Sequence, residues 1–172
     1  LRDGSYGADL WGKIMAAGKP YKIAPTGPSQ IRRVEAGIFS YFQDMRVTDN
    51  PYEIGMGGFV DLDMEANFIG KDALKKIHQE GIKRKLVGIE ILGDPITKIV
   101  PDEYTPAYFV ADHWPVVEDG TEIGHVTSKC FSPRLEKNIG YAFVPIAFAN
   151  LGNILKIKSP YADLNAKVVE RP

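Results

Sequence analysis

The chain has 172 residues, 44% of them hydrophobic and 25% charged, with 21 basic against 22 acidic side chains. These proportions are those of a globular protein with a real core and exclude a disordered or fibrous chain. Charge is balanced on both sides of Ile82, with 10 basic and 11 acidic residues up to it and 11 of each beyond, so no part carries the footprint of a nucleic-acid or anionic-membrane binder.

The longest nearly apolar run, Tyr141 to Ala149, is interrupted by Pro145 and falls far short of the ~20 residues of a spanning helix. Cys130 is the single cysteine, so no internal disulfide can form. That, with no signal-like leader, points to a reducing, cytoplasmic compartment. The chain begins at Leu1 and not at Met, which reads as a fragment or a processed piece.

The first predicted helix follows Asp3-Gly4-Ser5, with Ser5 as cap and Leu10, Trp11, Ile14 and Met15 on one face. A large apolar stripe at this spacing is expected to pack into a core. Gly18 is placed to end the helix in a left-handed conformation. A second helix is predicted from Pro28 to Ala36, with Thr26 as cap and Gly37 as stop. After it, Ile38-Phe39-Ser40-Tyr41-Phe42 reads as a buried strand or a pocket wall.

The third predicted helix, Lys71 to Glu80, puts Ala73, Leu74 and Ile77 on one face, its lysines 75 and 76 in solvent and Gly81 at its end. Asp72 and Lys76 are spaced to pair one turn apart. From Arg84 onward the pattern turns to strands: 85–91, 114–117, 122–126, 141–144, 154–157 and 166–169. Glu118-Asp119-Gly120-Thr121 is a strong hairpin signal, because Asp-Gly supplies the positive-φ positions of a tight turn. Short strands with polar turns between them point to a small closed or sandwich-like β domain.

Several features carry no site chemistry on their pattern alone. His78, His113 and His125 are far apart in sequence and lack metal-ligand spacing, so each reads as a surface or satisfied histidine, and no metal is expected. Cys130 reads as an inert core thiol. Gly55-Met56-Gly57-Gly58 has no following P-loop lysine, and Phe59 to Leu62 reads as a strand. Asp61, Asp63 and Glu65 lack the central glycine and distal glutamate of a calcium loop.

One set of motifs goes further. Ile31-Arg32-Arg33-Val34-Glu35-Ala36-Gly37, with Ser40-Tyr41 and Asp44-Met45 after it, is followed by Asn50-Pro51-Tyr52-Glu53 and Asn67-Phe68-Ile69-Gly70-Lys71. Ile123-Gly124, Val126-Thr127-Ser128, Ser132-Pro133 and Ile139-Gly140-Tyr141 come next. In this order they resemble the tetrahydrofolate-dependent aminomethyltransferase family, which includes the glycine cleavage T-protein and the dimethylsulfoniopropionate demethylase. The resemblance covers nearly the whole chain.

It implies an α+β architecture in which residues 1–82 form the C-terminal part of a folate-binding α/β domain and 83–172 a small antiparallel β-barrel domain. It also implies that the family's first half, a partner for this one, is missing. The cofactor it implies is tetrahydrofolate. Glu35, in the Glu-Ala-Gly motif, is implied to bind the pterin ring, whose N3–H and 2-amino group suit a carboxylate fork; a salt bridge from Glu35 to Arg32 is the competing expectation.

Tyr41 and Phe42 follow as candidates to line the pterin or aminobenzoyl site, with core packing as the alternative, while Ser128 and Ser132-Pro133 are expected to be structural parts of the barrel. No catalytic residue can be assigned. Phe42 stands where the family usually has glycine, Lys129 replaces another, and Pro25 to Gln30 replaces a Gly-Leu-Gly-Ala-Arg-Asp run. A basic residue that meets the folate tail in some T-proteins falls near Met64. These departures, with Asp61-Leu62-Asp63 to Lys71, favour a demethylase-like transfer of a methyl group from a small-molecule donor to tetrahydrofolate. A T-protein activity and a non-catalytic folate-binding or scaffold module are the alternatives.

Overall fold

The computed structural model describes residues 3–27, 29–100 and 113–171. Six strands close an antiparallel barrel: β1 (Arg84–Ile91), β2 (Trp114–Glu118), β3 (Thr121–Ser132), β4 (Lys137–Pro145), β5 (Ile154–Lys158) and β6 (Asp163–Val169). Around the barrel their order is β1-β4-β3-β2-β5-β6, and β6 returns to β1 through pairs from Gly88–Val169 to Ile91–Ala166. Closure leaves no free sheet edge. The β2–β3 turn forms where Asp-Gly predicts it, with Asp119 at φ 50° and Gly120 at φ 77°.

Strand alternation divides the apolar residues between two cores. Val87, Ile89, Trp114, Val116, Val126, Ala142, Val144, Leu155, Ile157 and Val168 fill the barrel. Leu86, Tyr141 and Phe143 face outward from the same strands and pack with Val34, Ile54 and Cys130 in a second cluster. That second cluster fastens the helical region to the barrel wall. Gly140 allows β4 to lie close against β3: a Cβ there would lie 2.1 Å from the Ser128 carbonyl oxygen.

The helical region departs from expectation in several places. Helix α1 (Gly7–Gly18) has no side-chain cap, because the Ser5 hydroxyl is bonded to Asp3. Its face is not core: Leu10, Trp11 and Ile14 are 40%, 55% and 50% exposed. Amphipathic spacing shows that a face exists to be buried, and no other described element lies over this one. Gly18 has φ −82°, and the left-handed stop comes at Lys22 after a short 3-10 turn. Gly18 instead lies directly under the Ile23 side chain, which a Cβ there would meet at 1.9 Å and displace.

Helix α2 (Gln30–Glu35) is capped by Ser29, whose hydroxyl accepts from the Arg32 amide at 3.3 Å, and not by Thr26. Pro28, the expected first helical residue, lies outside the described residues. Gly37 ends the helix at φ 72°. Residues 38–42 form a turn and not a buried strand: Ile38, Tyr41 and Phe42 are exposed, and Phe39 alone of the aromatic trio turns inward, edge-on to Tyr141 at 5.3 Å.

The Phe59–Leu62 stretch is a 3-10 turn followed by irregular chain. Helix α3 (Lys71–Glu80) ends at Gly81 as predicted, with Leu74 and Ile77 half-buried and Ala73 exposed. Its ion pair joins Lys76 to Glu80 at 3.8 Å and does not involve Asp72. Among the described residues no helix is long and apolar enough to cross a membrane.

Candidate functional site

The last turn of α2 is held against the barrel at three consecutive residues. The Arg33 guanidinium donates to the Ser128 hydroxyl at 2.7 Å. The Val34 carbonyl accepts from the Tyr141 hydroxyl at 2.9 Å. The Glu35 carboxylate accepts from the Ser132 hydroxyl. Short helices are marginal on their own, so these six residues owe their geometry to the strands behind them.

Arg33 is the organiser. Its Nε donates to Gln30 Oε1 at 2.8 Å, Nη1 to Asp44 Oδ2 at 2.6 Å and to the Ile38 carbonyl at 3.1 Å, and Nη2 to Gln43 Oε1 at 3.0 Å and to Ser128. An arginine's donor capacity is thereby used up. Asp44 is equally saturated: Oδ2 also takes the Ser40 amide at 2.9 Å, while Oδ1 takes the Thr127 hydroxyl at 2.7 Å and that of Ser128. The Asp44 side chain is completely buried and that of Arg33 only 13% exposed. Saturation on both sides is what makes a buried pair tolerable.

This commitment decides the state of Glu35. The expected alternative, a salt bridge to Arg32, does not form: Arg32 turns the other way, to the Thr26 hydroxyl at 3.3 Å and the Gly27 carbonyl at 2.8 Å. Arg33 has no donor to spare. The half-buried Glu35 carboxylate thus has a hydroxyl donor but no cationic partner among the described residues. It also stands at the C-terminal end of a helix, where the backbone dipole disfavours negative charge. Burial, and next the negative charge of Glu35, push the Cys130 thiol up to about 12, which makes this cysteine inert as expected.

Tyr41 and Phe42 are brought to the same turn but not into contact with Glu35. Their rings pack on each other at 4.4 Å and are 48% and 61% exposed. Phe42 has φ 69°, in the left-handed region, which accounts for the family's usual glycine there. The turn is closed by the Phe42 amide donating to the Met45 carbonyl at 2.9 Å and the Asp44 amide to that of Ser40 at 2.8 Å.

Two further clefts open where the helical region meets the barrel. A cleft of about 520 Å³ is lined by Phe39, Met56, Phe59, Leu86, Val169 and Arg171. There the Arg171 guanidinium donates to the Ile54 carbonyl at 2.6 Å and lies 5.1 Å from the Phe39 ring centre. A smaller one, about 190 Å³, is lined by Asp44, Asp49, Arg84, His113, His125 and Thr127.

In the smaller cleft two histidines far apart in the chain come together: His113 and His125 stack with ring centres 4.6 Å apart. His113 Nε2 lies 3.1 Å from the Gln43 carbonyl, which can only accept, so that nitrogen carries the proton. Burial, and then the neighbouring His113, push His125 down to about 4. No group of three or more potential ligands is placed to hold a metal among the described residues.

Arg33, Asp44, Thr127 and Ser132 were not predicted as site-forming residues. All four do fall in the recognised motifs, but nothing in the spacing pairs residues 83 to 97 positions apart.

Comparison with known proteins follows the same two-part division. The glycine cleavage T-protein C-terminal barrel domain matches residues 84–172, and the GCVT N-terminal domain matches residues 2–64. An aminomethyltransferase of Caldanaerobacter subterraneus subsp. tengcongensis is 38% identical over 164 residues, covering 94% of this chain and 40% of the relative. One from Clostridium botulinum strain Langeland is 39% identical over 164 residues, 94% and 41% of the respective chains. The chain thus spans about two fifths of the length of these curated relatives. The crystal structure of glycine cleavage system aminomethyltransferase T from Bartonella henselae superposes with a TM-score of 0.65 at 21% identity, covering 79% of this chain and 35% of that one. At that identity the likeness is one of fold.

Proposed function

Because the chain belongs to the glycine cleavage T-protein family, we propose that it contributes the pterin-binding carboxylate and the supporting barrel to tetrahydrofolate-dependent aminomethyl transfer. The observation that carries this is Glu35: a half-buried carboxylate with no cationic partner among the described residues, held by a hydroxyl, in the matching Glu-Ala-Gly motif. Such a group is an acceptor in want of donors. A pterin edge offers two, N3–H and the 2-amino group, side by side, and both can bond one carboxylate. When bound, tetrahydrofolate supplies the nitrogen that takes up the one-carbon unit. The task of this chain's own residues is then to bind and orient.

The relatives named above are aminomethyltransferases, which favours an aminomethyl donor over the small-molecule methyl donor that the local sequence departures favoured. The remainder of such a protein completes the pocket in this proposal, and the exposed Leu10, Trp11 and Ile14 face of α1 is where it would pack.

Calorimetric titration with tetrahydrofolate tests the assignment. Wild-type protein should bind saturably, and Glu35→Gln should weaken binding by about 2 kcal/mol, some thirtyfold in Kd. Equal affinity of the two proteins would overturn it.

A further inference from the structure

We infer that Ser132, the last residue of barrel strand β3, is a positioning residue for the Glu35 carboxylate, so that the barrel sets the orientation of the group that meets the ligand. This rests on the proposed pterin-binding role of Glu35.

The hydroxyl of Ser132 has its geometry decided from two sides. Its oxygen accepts the Leu135 amide at 3.0 Å, in the turn that leads to β4. Its single proton is therefore directed to Glu35 Oε1. The residue is completely buried, so water does not compete for that proton from its own side. Glu35 has few other restraints. A glutamate has three side-chain torsions, Arg32 and Arg33 are engaged elsewhere, and the end of α2 is an adverse place for its charge. Freed from Ser132, the carboxylate would spread over several rotamers. A bidentate pair needs both oxygens in one plane, so that spread would be charged against binding as ordering entropy.

The bond is made across 97 positions of chain, from the barrel to the helical region. It adds to the anchors at Arg33 and Val34 but differs from them in ending on a group with no other partner among the described residues. Ser132 touches no ligand in this scheme and acts only through Glu35.

Two measurements on the 172-residue protein decide it, with thermal unfolding of each variant confirming that it folds. The first is ligand-free: the Glu35 side-chain carboxylate resonance is compared by carbon NMR at neutral pH in wild type and Ser132→Ala. The variant's resonance should move toward that of a solvated, rotamer-averaged glutamate. An unmoved resonance overturns the inference whatever the ligand does. The second is calorimetric titration with tetrahydrofolate of wild type, Ser132→Ala, Glu35→Gln and the double variant. Ser132→Ala should lose about tenfold in affinity, and should lose nothing further in the Glu35→Gln background.

A Ser132→Ala protein that binds like wild type beside a weakened Glu35→Gln overturns the positioning role and leaves the Glu35 assignment standing. A further loss in the Glu35→Gln background shows that Ser132 acts by some other route and also overturns it. Glu35→Gln binding like wild type overturns the Glu35 assignment, and the positioning role with it.

Discussion

Replacing Asp44 by alanine should be the most damaging single change at the junction. The carboxylate takes four bonds, from Arg33, the Ser40 amide, Thr127 and Ser128. Its removal leaves the Arg33 guanidinium, 13% exposed, with its positive charge unpaired. Breaking a buried pair from one side costs about 3–5 kcal/mol. Against a typical total of about 5–15 kcal/mol, that is a large fraction. At roughly 2–4 °C per kcal/mol for a chain of this size, the melting temperature should fall by about 10 °C.

The assay for Asp44→Ala is urea unfolding followed by tryptophan fluorescence, since Trp114 is completely buried in the barrel and reports its integrity. An apolar double replacement, Arg33→Met with Asp44→Leu, removes both charges and should recover part of the loss. Recovery should stop short of wild type, because the Ser40 amide and the Ser128 hydroxyl lose their acceptor. A destabilisation by Asp44→Ala below about 1 kcal/mol would refute the claim that this pair carries the junction.

Phe42→Gly should raise stability by about 0.5–1 kcal/mol, since glycine adopts φ 69° without steric strain; a lower melting temperature would show that the Tyr41 ring contact outweighs the strain. Tyr141→Phe should cost about 1 kcal/mol in urea unfolding, through loss of the bond to the Val34 carbonyl, and no change would mean that bond contributes nothing net. His125, pushed from its ordinary 6.5 down to about 4, binds fewer protons folded than unfolded between those values. Stability should therefore fall as pH drops through that window. Comparing wild type with His125→Gln at pH 7 and pH 5 should show an extra wild-type loss of about 1–2 kcal/mol, discounted for the partly solvated ring. Parallel pH dependences of the two proteins would contradict it.

Much of the barrel was legible in advance, because a strand's alternation and a turn's glycine are written in neighbouring residues. Asp119-Gly120 closes the predicted hairpin, and Gly37 and Gly81 stop their helices with positive φ. The errors have a common cause. Leu10, Trp11 and Ile14 show helical amphipathicity, but periodicity does not say whether any element covers the face. Gly18 looked like a helix stop and is instead a close-approach position under Ile23. His113 and His125 looked unrelated because stacking brings together a residue at the start of β2 and one within β3.

The candidate site divides the same way. The family motif singled out Glu35 from the sequence, yet its partner could not be read there: Arg32 is three positions away and unused, whereas Ser132 is 97 away and bonded. By itself, then, the sequence determined the six barrel strands, the three helices, the tight turns and the family to which the chain belongs. The closure of β6 onto β1, the saturation of Arg33 and Asp44, and the isolation of Glu35 from every cation among the described residues were decided only by the tertiary structure. The physical reason is that backbone preference and periodicity are local properties, while the satisfaction of a buried polar group depends on which distant surfaces the packing brings against it.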